Sequence, residues 1–227
     1  MTLMEMTEAS RILKRTGLVL LIVGLLDISL MVYCVSIGIS YSSSFNIFAA
    51  IAGVYLMRGS LRAAVLVRWY SMFMLAVFAS FILATPFWQP FDLTLTQLRL
   101  SPWKAVGMFS LVAFVLGLLA WLYTQLGSES IRKALDAAGR TSRDMRIPAV
   151  LGVGLVVVGT ICMSVILHGE SASKALSIAA RQLGPEYHYH LNSLRISTNR
   201  RGKFVSGEVT AWDSREIVRI PVRWEEH

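Results

Sequence analysis

The sequence predicts a mainly α-helical membrane protein, in which a transmembrane helix bundle is followed by a small α+β domain outside the bilayer. Of the 227 residues, 55% are hydrophobic and only 16% are charged, whereas about a quarter of the residues in a soluble domain are charged. Five apolar segments carry basic residues at their ends, which is typical of membrane spans. After residue 168 the composition becomes that of a soluble domain.

We expect a cytoplasmic tail over residues 1–16, a bundle over 17–168 and an extracytoplasmic domain over 169–227. The first span, 17–39, holds one charged residue and is long enough for a hydrocarbon core of about 30 Å. Basic residues precede it and no small-residue cleavage site ends it, so it predicts an uncleaved anchor with a cytoplasmic N-terminus. The other spans are predicted at 40–57, 69–87, 105–126 and 147–168.

The second span is the least regular, because only Phe45 to Met57 is strongly apolar and such a short stretch is also compatible with a re-entrant segment. If residues 40–57 cross the bilayer completely, Arg58, Arg62 and Arg68 lie on the same side as the basic N-terminal tail. That arrangement gives eleven Lys and Arg on the cytoplasmic side and two, Arg99 and Lys104, in the short outer loops. The sequence therefore predicts five spans in a bacterial inner membrane, with the N-terminus inside and the C-terminus periplasmic.

Small residues predict the faces on which the spans pack, because helices in a bilayer associate through close backbone approach. The second span contributes Ala49 and Gly53. The fourth span has small residues at spacings of three and four, which share one helix face; a pore lining would show the same pattern. These residues are Gly107, Ser110, Ala113, Gly117, Ala120 and Thr124.

Asp27 is the charged residue of the first span, where a carboxylate costs a few kcal/mol to insert into lipid. Such residues usually face the bundle interior, and here hydroxyl groups, backbone or water are the expected partners. Three interpretations stay open: a hydrogen-bonded structural residue, a proton relay or ion ligand, and a contact to a partner subunit.

The last 59 residues predict one helix and three antiparallel strands in a meander. A helix from Ser171 ends at Gly184, where Pro185 follows. The last strand alternates, so that Val218, Ile220, Val222 and Trp224 share one face, of which the first three should lie toward the helix, while Arg219 and Arg223 face solvent, headgroups or a partner. Arg219, Arg223 and Trp224 are the candidate partner-binding residues. The strands are predicted at Glu186–Ser197, Lys203–Trp212 and Arg215–Trp224.

His188 and His190 share a strand face and form a candidate metal pair, with His168 upstream. A metal site usually needs a third or fourth ligand, so a structural strand is the favoured interpretation. No catalytic motif, nucleotide loop or closed metal site occurs in the sequence, and we expect no cofactor.

The function expected from these features is that of a non-catalytic scaffold, assembly factor or accessory subunit. Its outer domain would bind another membrane or periplasmic protein, and a homo-oligomer is compatible with this role. Nucleic-acid binding is not expected, because the basic residues lie at the ends of apolar segments. The alternatives are a small transporter or channel component that uses Asp27, a metal-handling protein that uses His188 and His190, and a membrane-anchored protein of the immunity type.

Overall fold

The chain is mainly helical and ends in a three-stranded antiparallel sheet, as a computed structural model of it shows. The structure describes residues 3–39, 41, 45–140, 144–167, 169–199, 202–213 and 215–226. His168, the upstream histidine of the candidate metal group, lies outside them. The elements are α1 Leu3–Ser36, α2 Phe45–Met57, α3 Leu61–Trp88, α4 Phe91–Leu100, α5 Pro102–Leu126, α6 Glu129–Ala137, α7 Arg146–Leu167, α8 Glu170–Leu183, β1 His188–Asn199, β2 Gly202–Trp212 and β3 Ile217–Glu226.

Four of the described helices are long and apolar enough to cross a bilayer, which indicates an integral membrane protein. They are α1 from Thr7, α3, α5 and α7. Helix α2 has 13 residues and rises about 20 Å, less than a hydrocarbon core of about 30 Å. It covers only the C-terminal part of the predicted second span, 40–57. In the described chain, therefore, four helices rather than five can each cross a membrane by length and composition.

The chain divides into two compact units. Unit 1 comprises residues 1–76 and 115–152, and unit 2 comprises 77–114 and 153–227. Unit 1 therefore holds α1, α2, α6, the start of α3 and the end of α5. Unit 2 holds α4, most of α7, α8 and the sheet.

In unit 1, α1 and α2 form a hairpin in which the two backbones touch. A Cβ atom built on Gly17 would lie 2.7 Å from the carbonyl oxygen of Gly53, and one built on Gly53 would lie 2.8 Å from that of Gly17. Gly17 also approaches Met57, while Gly53 approaches Leu21, so the helices run antiparallel. Gly53 therefore lies in a packing contact, as its sequence position predicts, and Ala49 is buried in the same core.

Helix α6 is amphipathic, and its apolar face joins the core of unit 1. Ile131 and Leu135, four residues apart, are buried with Ala9 and Leu13 of α1. The Ser130 hydroxyl donates a hydrogen bond to the Glu8 carboxylate at 3.0 Å. The sequence of residues 127–146 indicates a solvated basic segment near anionic lipids. The structure shows that part of this segment, α6, is a helix that packs on the N-terminal turns of α1.

Unit 2 contains the predicted helix on one face of the predicted meander. The strands pair in the order β1-β2-β3, all antiparallel, and α8 contacts each of them. Gly184 ends α8 with φ of +92°, a conformation that favours glycine. The core beneath α8 contains Ala172, Ala175, Ala179, Leu191, Val209, Ala211, Ile220 and Val222.

The structure settles three local features. Pro86 and Pro90 are both residues that can stop a helix, and α3 continues through Pro86 and ends at Trp88, two residues before Pro90. Residues 91–100, whose partial alternation also fits a surface strand, form helix α4 with Pro90 at its N-terminal cap. Helix α8 begins at Glu170, with Gly169 rather than Ser171 at the cap position.

Replacing Gly53 with alanine is expected to lower the free energy of unfolding of the α1–α2 hairpin. The new methyl group would meet backbone atoms of Gly17 and Leu21 at 2.8 Å, and overpacking of this kind costs about 1–3 kcal/mol. Titration of the purified protein with a denaturing detergent measures the loss. Gly117→Ala is the matched control, because a Cβ there meets nothing within 4 Å. Equal stability of the two variants would contradict the close packing of α1 on α2.

Candidate functional site

The sheet has one face covered by α8 and an opposite face, here called the open face, that is only partly covered. At one end of the open face Thr210 and Trp212 are buried within the chain. Arg219 lies beside Thr210, and Arg195 and Arg223 flank Ser206 toward the other end; all three arginines are exposed. The open face therefore presents three arginines from its two outer strands, β1 and β3.

A shallow depression of about 520 Å³ lies on the open face beside these arginines. Within it the Arg219 side chain forms an ion pair with Glu208, whose nitrogen–oxygen distance is 3.5 Å. The two side chains are 76% and 39% exposed, so the pair contributes little to stability and Arg219 can meet another carboxylate. The depression is lined by Ser193, Arg195, Ser206, Gly207, Glu208, Arg219 and Pro221.

A bulge in β1 explains why Arg195 reaches the open face. Strand pairing shifts between Leu191 and Ser193, so Asn192 is an extra residue. Simple alternation would put Arg195 on the same face as Leu191, beneath α8. The bulge reverses the alternation, and Leu194 packs against the core instead. Sequence reasoning missed Arg195 because it assumed unbroken alternation along this strand. The three-residue spacing of Leu191 and Leu194 is compatible with a bulge but does not by itself locate one.

The turn between β2 and β3 fixes the backbone just before β3, the strand that carries Arg219 and Arg223. The Asp213 carboxylate accepts hydrogen bonds from the backbone N–H groups of Arg215 and Glu216, both at 2.7 Å. These bonds lower the pKa of Asp213. The Tyr187 hydroxyl donates to the Glu216 carboxylate at 2.6 Å, and this bond is the main cause that raises the pKa of Tyr187 to about 12.

The three residues predicted to contact a partner divide between the two faces of β3. Arg219 and Arg223 lie on the open face. Trp224 is half-buried against the core under α8, and the Lys174 ammonium lies 6.0 Å from the centre of its ring. Trp224 therefore packs the sheet against α8, and the open face carries the two arginines without it.

The structure gives His188 and His190 different surroundings. The His188 ring lies 5.6 Å from the Trp212 ring, centre to centre. The half-buried His190 ring donates a hydrogen bond to the backbone carbonyl of Trp88. Burial lowers the pKa of His190, and that hydrogen bond offsets part of the effect. In the described part of the chain, no three His, Cys, Asp or Glu residues form a group that could hold a metal ion.

Asp27 accepts a hydrogen bond from the hydroxyl of Tyr41, so the structure supplies a hydroxyl partner of the kind the sequence leads us to expect. Asp27 is partly buried in α1, ten residues beyond Gly17, or about 15 Å along the helix. Tyr41 lies between α1 and α2, outside both helices. Sequence reasoning missed it because nothing in the spacing shows that Tyr41 returns to the side of α1.

All six small residues of the predicted seam on α5 are exposed in the described structure. A Cβ built on Gly107 or Gly117 would meet nothing within 4 Å. The buried side of α5 is formed by Leu119, Leu122 and Leu126 instead. The predicted seam of Gly107, Ser110, Ala113, Gly117, Ala120 and Thr124 is therefore available to lipid or to another chain, and its role stays a prediction.

No known protein family, no curated protein and no solved structure matches the chain. Inference about function therefore depends on the geometry of the chain itself.

Acidification is expected to destabilise unit 2 through His190. Because the folded-state pKa of His190 is lowered, folding favours the neutral ring. Its contribution is fully present above the unfolded pKa of about 6.5 and is lost as the pH falls through the lower folded value. Thermal unfolding followed by tryptophan fluorescence between pH 8 and pH 5 should show the loss.

In the variant His190→Gln the pH dependence should be weaker than in the wild type. His188→Gln removes an exposed histidine from the same strand and serves as the control. A pH profile left unchanged by His190→Gln, or flattened as much by His188→Gln, would contradict the role of His190.

Proposed function

We propose that this chain is a non-catalytic membrane protein, a scaffold or accessory subunit, whose membrane helices anchor the α8–sheet unit as a binding module for another protein. The observation that carries this proposal is the open face, with its three exposed arginines beside a shallow depression. Arginine is enriched at protein interfaces, since its planar fork can bind a carboxylate through two hydrogen bonds. The partner would supply carboxylates to Arg195, Arg219 and Arg223.

The open arginine face is suited to a reversible contact. The carboxylate of Glu208 already orients the side chain of Arg219, so less rotamer freedom is lost when a partner binds. Strand β3 pairs only with β2 in the described sheet, and its other edge can accept a further strand from a partner. Pro221 in that strand lacks a backbone N–H group and limits uncontrolled pairing along the edge.

We also propose that the chain crosses the inner membrane five times, with the N-terminus in the cytoplasm and the C-terminal unit in the periplasm. In this topology the second crossing combines the residues that follow α1 with the short helix α2. Support comes from the hairpin contact, in which Met57 at the end of α2 lies beside Gly17 at the start of the α1 span. The arginines that follow α2 would then share the side of the N-terminal basic residues.

The alternative roles have less support from the described contacts. For transport, the hydrogen bond from Tyr41 to Asp27 is compatible with a relay but equally provides a structural partner. For metal handling, His190 donates to a backbone carbonyl and His188 lies beside Trp212. An immunity-type role would use the same open face, so it differs from the proposal only in the identity of the partner.

Reversing the charge of Arg219 and Arg223 together is expected to detach the partner. With both residues replaced by glutamate, like charges would face the carboxylates of the partner, and the fraction of partner recovered by affinity purification in mild detergent should fall at least about tenfold. Arg181→Glu with Arg215→Glu makes the same charge change at two exposed positions outside the depression. Equal recovery with both double variants would refute the open face as the contact.

A further inference from the structure

In unit 1 the C-terminal end of α5 is flanked by two arginines from neighbouring helices. The guanidinium carbon of Arg15, in α1, lies 5.8 Å from the centre of the Trp121 ring. That of Arg68, in α3, lies 5.2 Å from the centre of the Tyr123 ring. Both are cation–π contacts, which orient side chains that would otherwise sample many rotamers. The two guanidinium groups are therefore held beside residues 121 and 123 of the same helix.

Arg68 is the more enclosed of the two. It is half-buried, and Gly127, just beyond the end of α5, lies so close that a Cβ there would be 2.9 Å from the Arg68 Nη2 atom. The Nε atom of Arg68 is buried and has no hydrogen-bond acceptor among the residues that the structure describes. A buried N–H group of a charged side chain is costly to leave unpaired, so a rotation of the half-buried Arg68 side chain that brings Nε to an outside acceptor would be favourable.

The described segments of unit 1 around this end are strongly basic. Residues 7–16, 58–68, 127–140 and 144–146 contain ten Lys and Arg against four Asp and Glu. Two of the acidic side chains have partners: Glu129 pairs with Lys133 at 3.2 Å, and Glu8 accepts a bond from Ser130. The net positive charge of these segments attracts an anion.

We propose that the end of α5 binds the phosphate of an anionic phospholipid through Arg68, and the phosphate of a second such lipid through Arg15 on the other side of the helix. A guanidinium group matches phosphate oxygens with two parallel hydrogen bonds. Tryptophan and tyrosine favour the headgroup level of a bilayer, where Trp121 and Tyr123 would hold the arginines at the depth of the phosphate. Basic pockets between membrane helices bind such headgroups.

The test measures how added lipid shifts the thermal unfolding midpoint of the full chain in mild detergent. Phosphatidylglycerol should raise the midpoint of the wild type, whereas phosphatidylcholine and inorganic phosphate should not. In Arg68→Gln the apparent affinity for phosphatidylglycerol should fall about tenfold or more, as the loss of a charge-assisted bond implies. Arg62→Gln removes an exposed arginine from the same helix and should change the affinity by less than about twofold.

Three results would overturn the proposal. One is an equal loss of affinity in Arg62→Gln and Arg68→Gln, which would mean that diffuse charge alone attracts the lipid. Another is an equal effect of inorganic phosphate and phosphatidylglycerol, which would mean that a free anion is the ligand. The third is the absence of any preference for phosphatidylglycerol in the wild type.

Arg68→Lys keeps the experiment interpretable if Arg68→Gln does not fold. The lysine variant keeps the positive charge but lacks the planar fork, so its affinity should lie between those of the wild type and Arg68→Gln. Wild-type affinity in Arg68→Lys would contradict Arg68 as a specific phosphate ligand. Arg15→Gln, compared with Lys14→Gln on the same helix, tests the second site in the same way and should show the larger loss.

Discussion

The backbone contact between Gly17 and Gly53 is the interaction on which the arrangement of unit 1 depends. Lipid tails are as apolar as leucine, so hydrophobic burial does not drive membrane helices together, and close backbone packing has to do so. A methyl group on either glycine would lie within 2.8 Å of the carbonyl oxygen of the other, so no larger residue fits at these positions. This contact sets the antiparallel hairpin, and the hairpin brings the end of α2 beside the start of the α1 span.

The other features of unit 1 follow from that hairpin. Helix α1 extends beyond the contact at its N-terminus, and α6 packs its two buried aliphatic residues there. At the opposite end Tyr41, between α1 and α2, lies beside α1 and bonds to Asp27. Polar groups at membrane depth are tolerated only where protein or a polar cavity satisfies them. The Asp27–Tyr41 hydrogen bond is one such compensation.

Unit 2 is stabilised by the burial of apolar side chains between α8 and the sheet, and its sequence pattern predicts the buried face directly. The period-two alternation of Val218, Ile220 and Val222 predicts the face that α8 covers, because strand geometry links spacing directly to orientation. The mainly helical class was predictable from the long apolar segments, and the helix-on-sheet order from one helical pattern followed by three strand patterns. The bulge at Asn192 was not, since it depends on how β1 pairs with β2 rather than on the residues of β1 alone.

In the membrane part, apolar length predicted where helices occur but not how they contact one another. The described helix α2, Phe45–Met57, coincides with the strongly apolar part of the predicted span. The residues of α5 that the structure buries are Leu119, Leu122 and Leu126, and apolar composition alone does not show which face of such a helix is buried. Small residues indicate that close approach is sterically allowed, and only the partner helix decides whether it occurs.

The side of the membrane on which the α2–α3 turn lies tests the five-span topology most directly. Single cysteines would be placed at Ser60, Ala137 and Arg215 in a chain with Cys34 and Cys162 replaced by alanine, and a membrane-impermeant maleimide would be applied to intact cells. The five-span topology predicts that only Arg215→Cys is labelled, while Ser60→Cys and Ala137→Cys react after permeabilisation. Labelling of Ser60→Cys in intact cells would contradict this topology, because α2 would then not complete the second crossing.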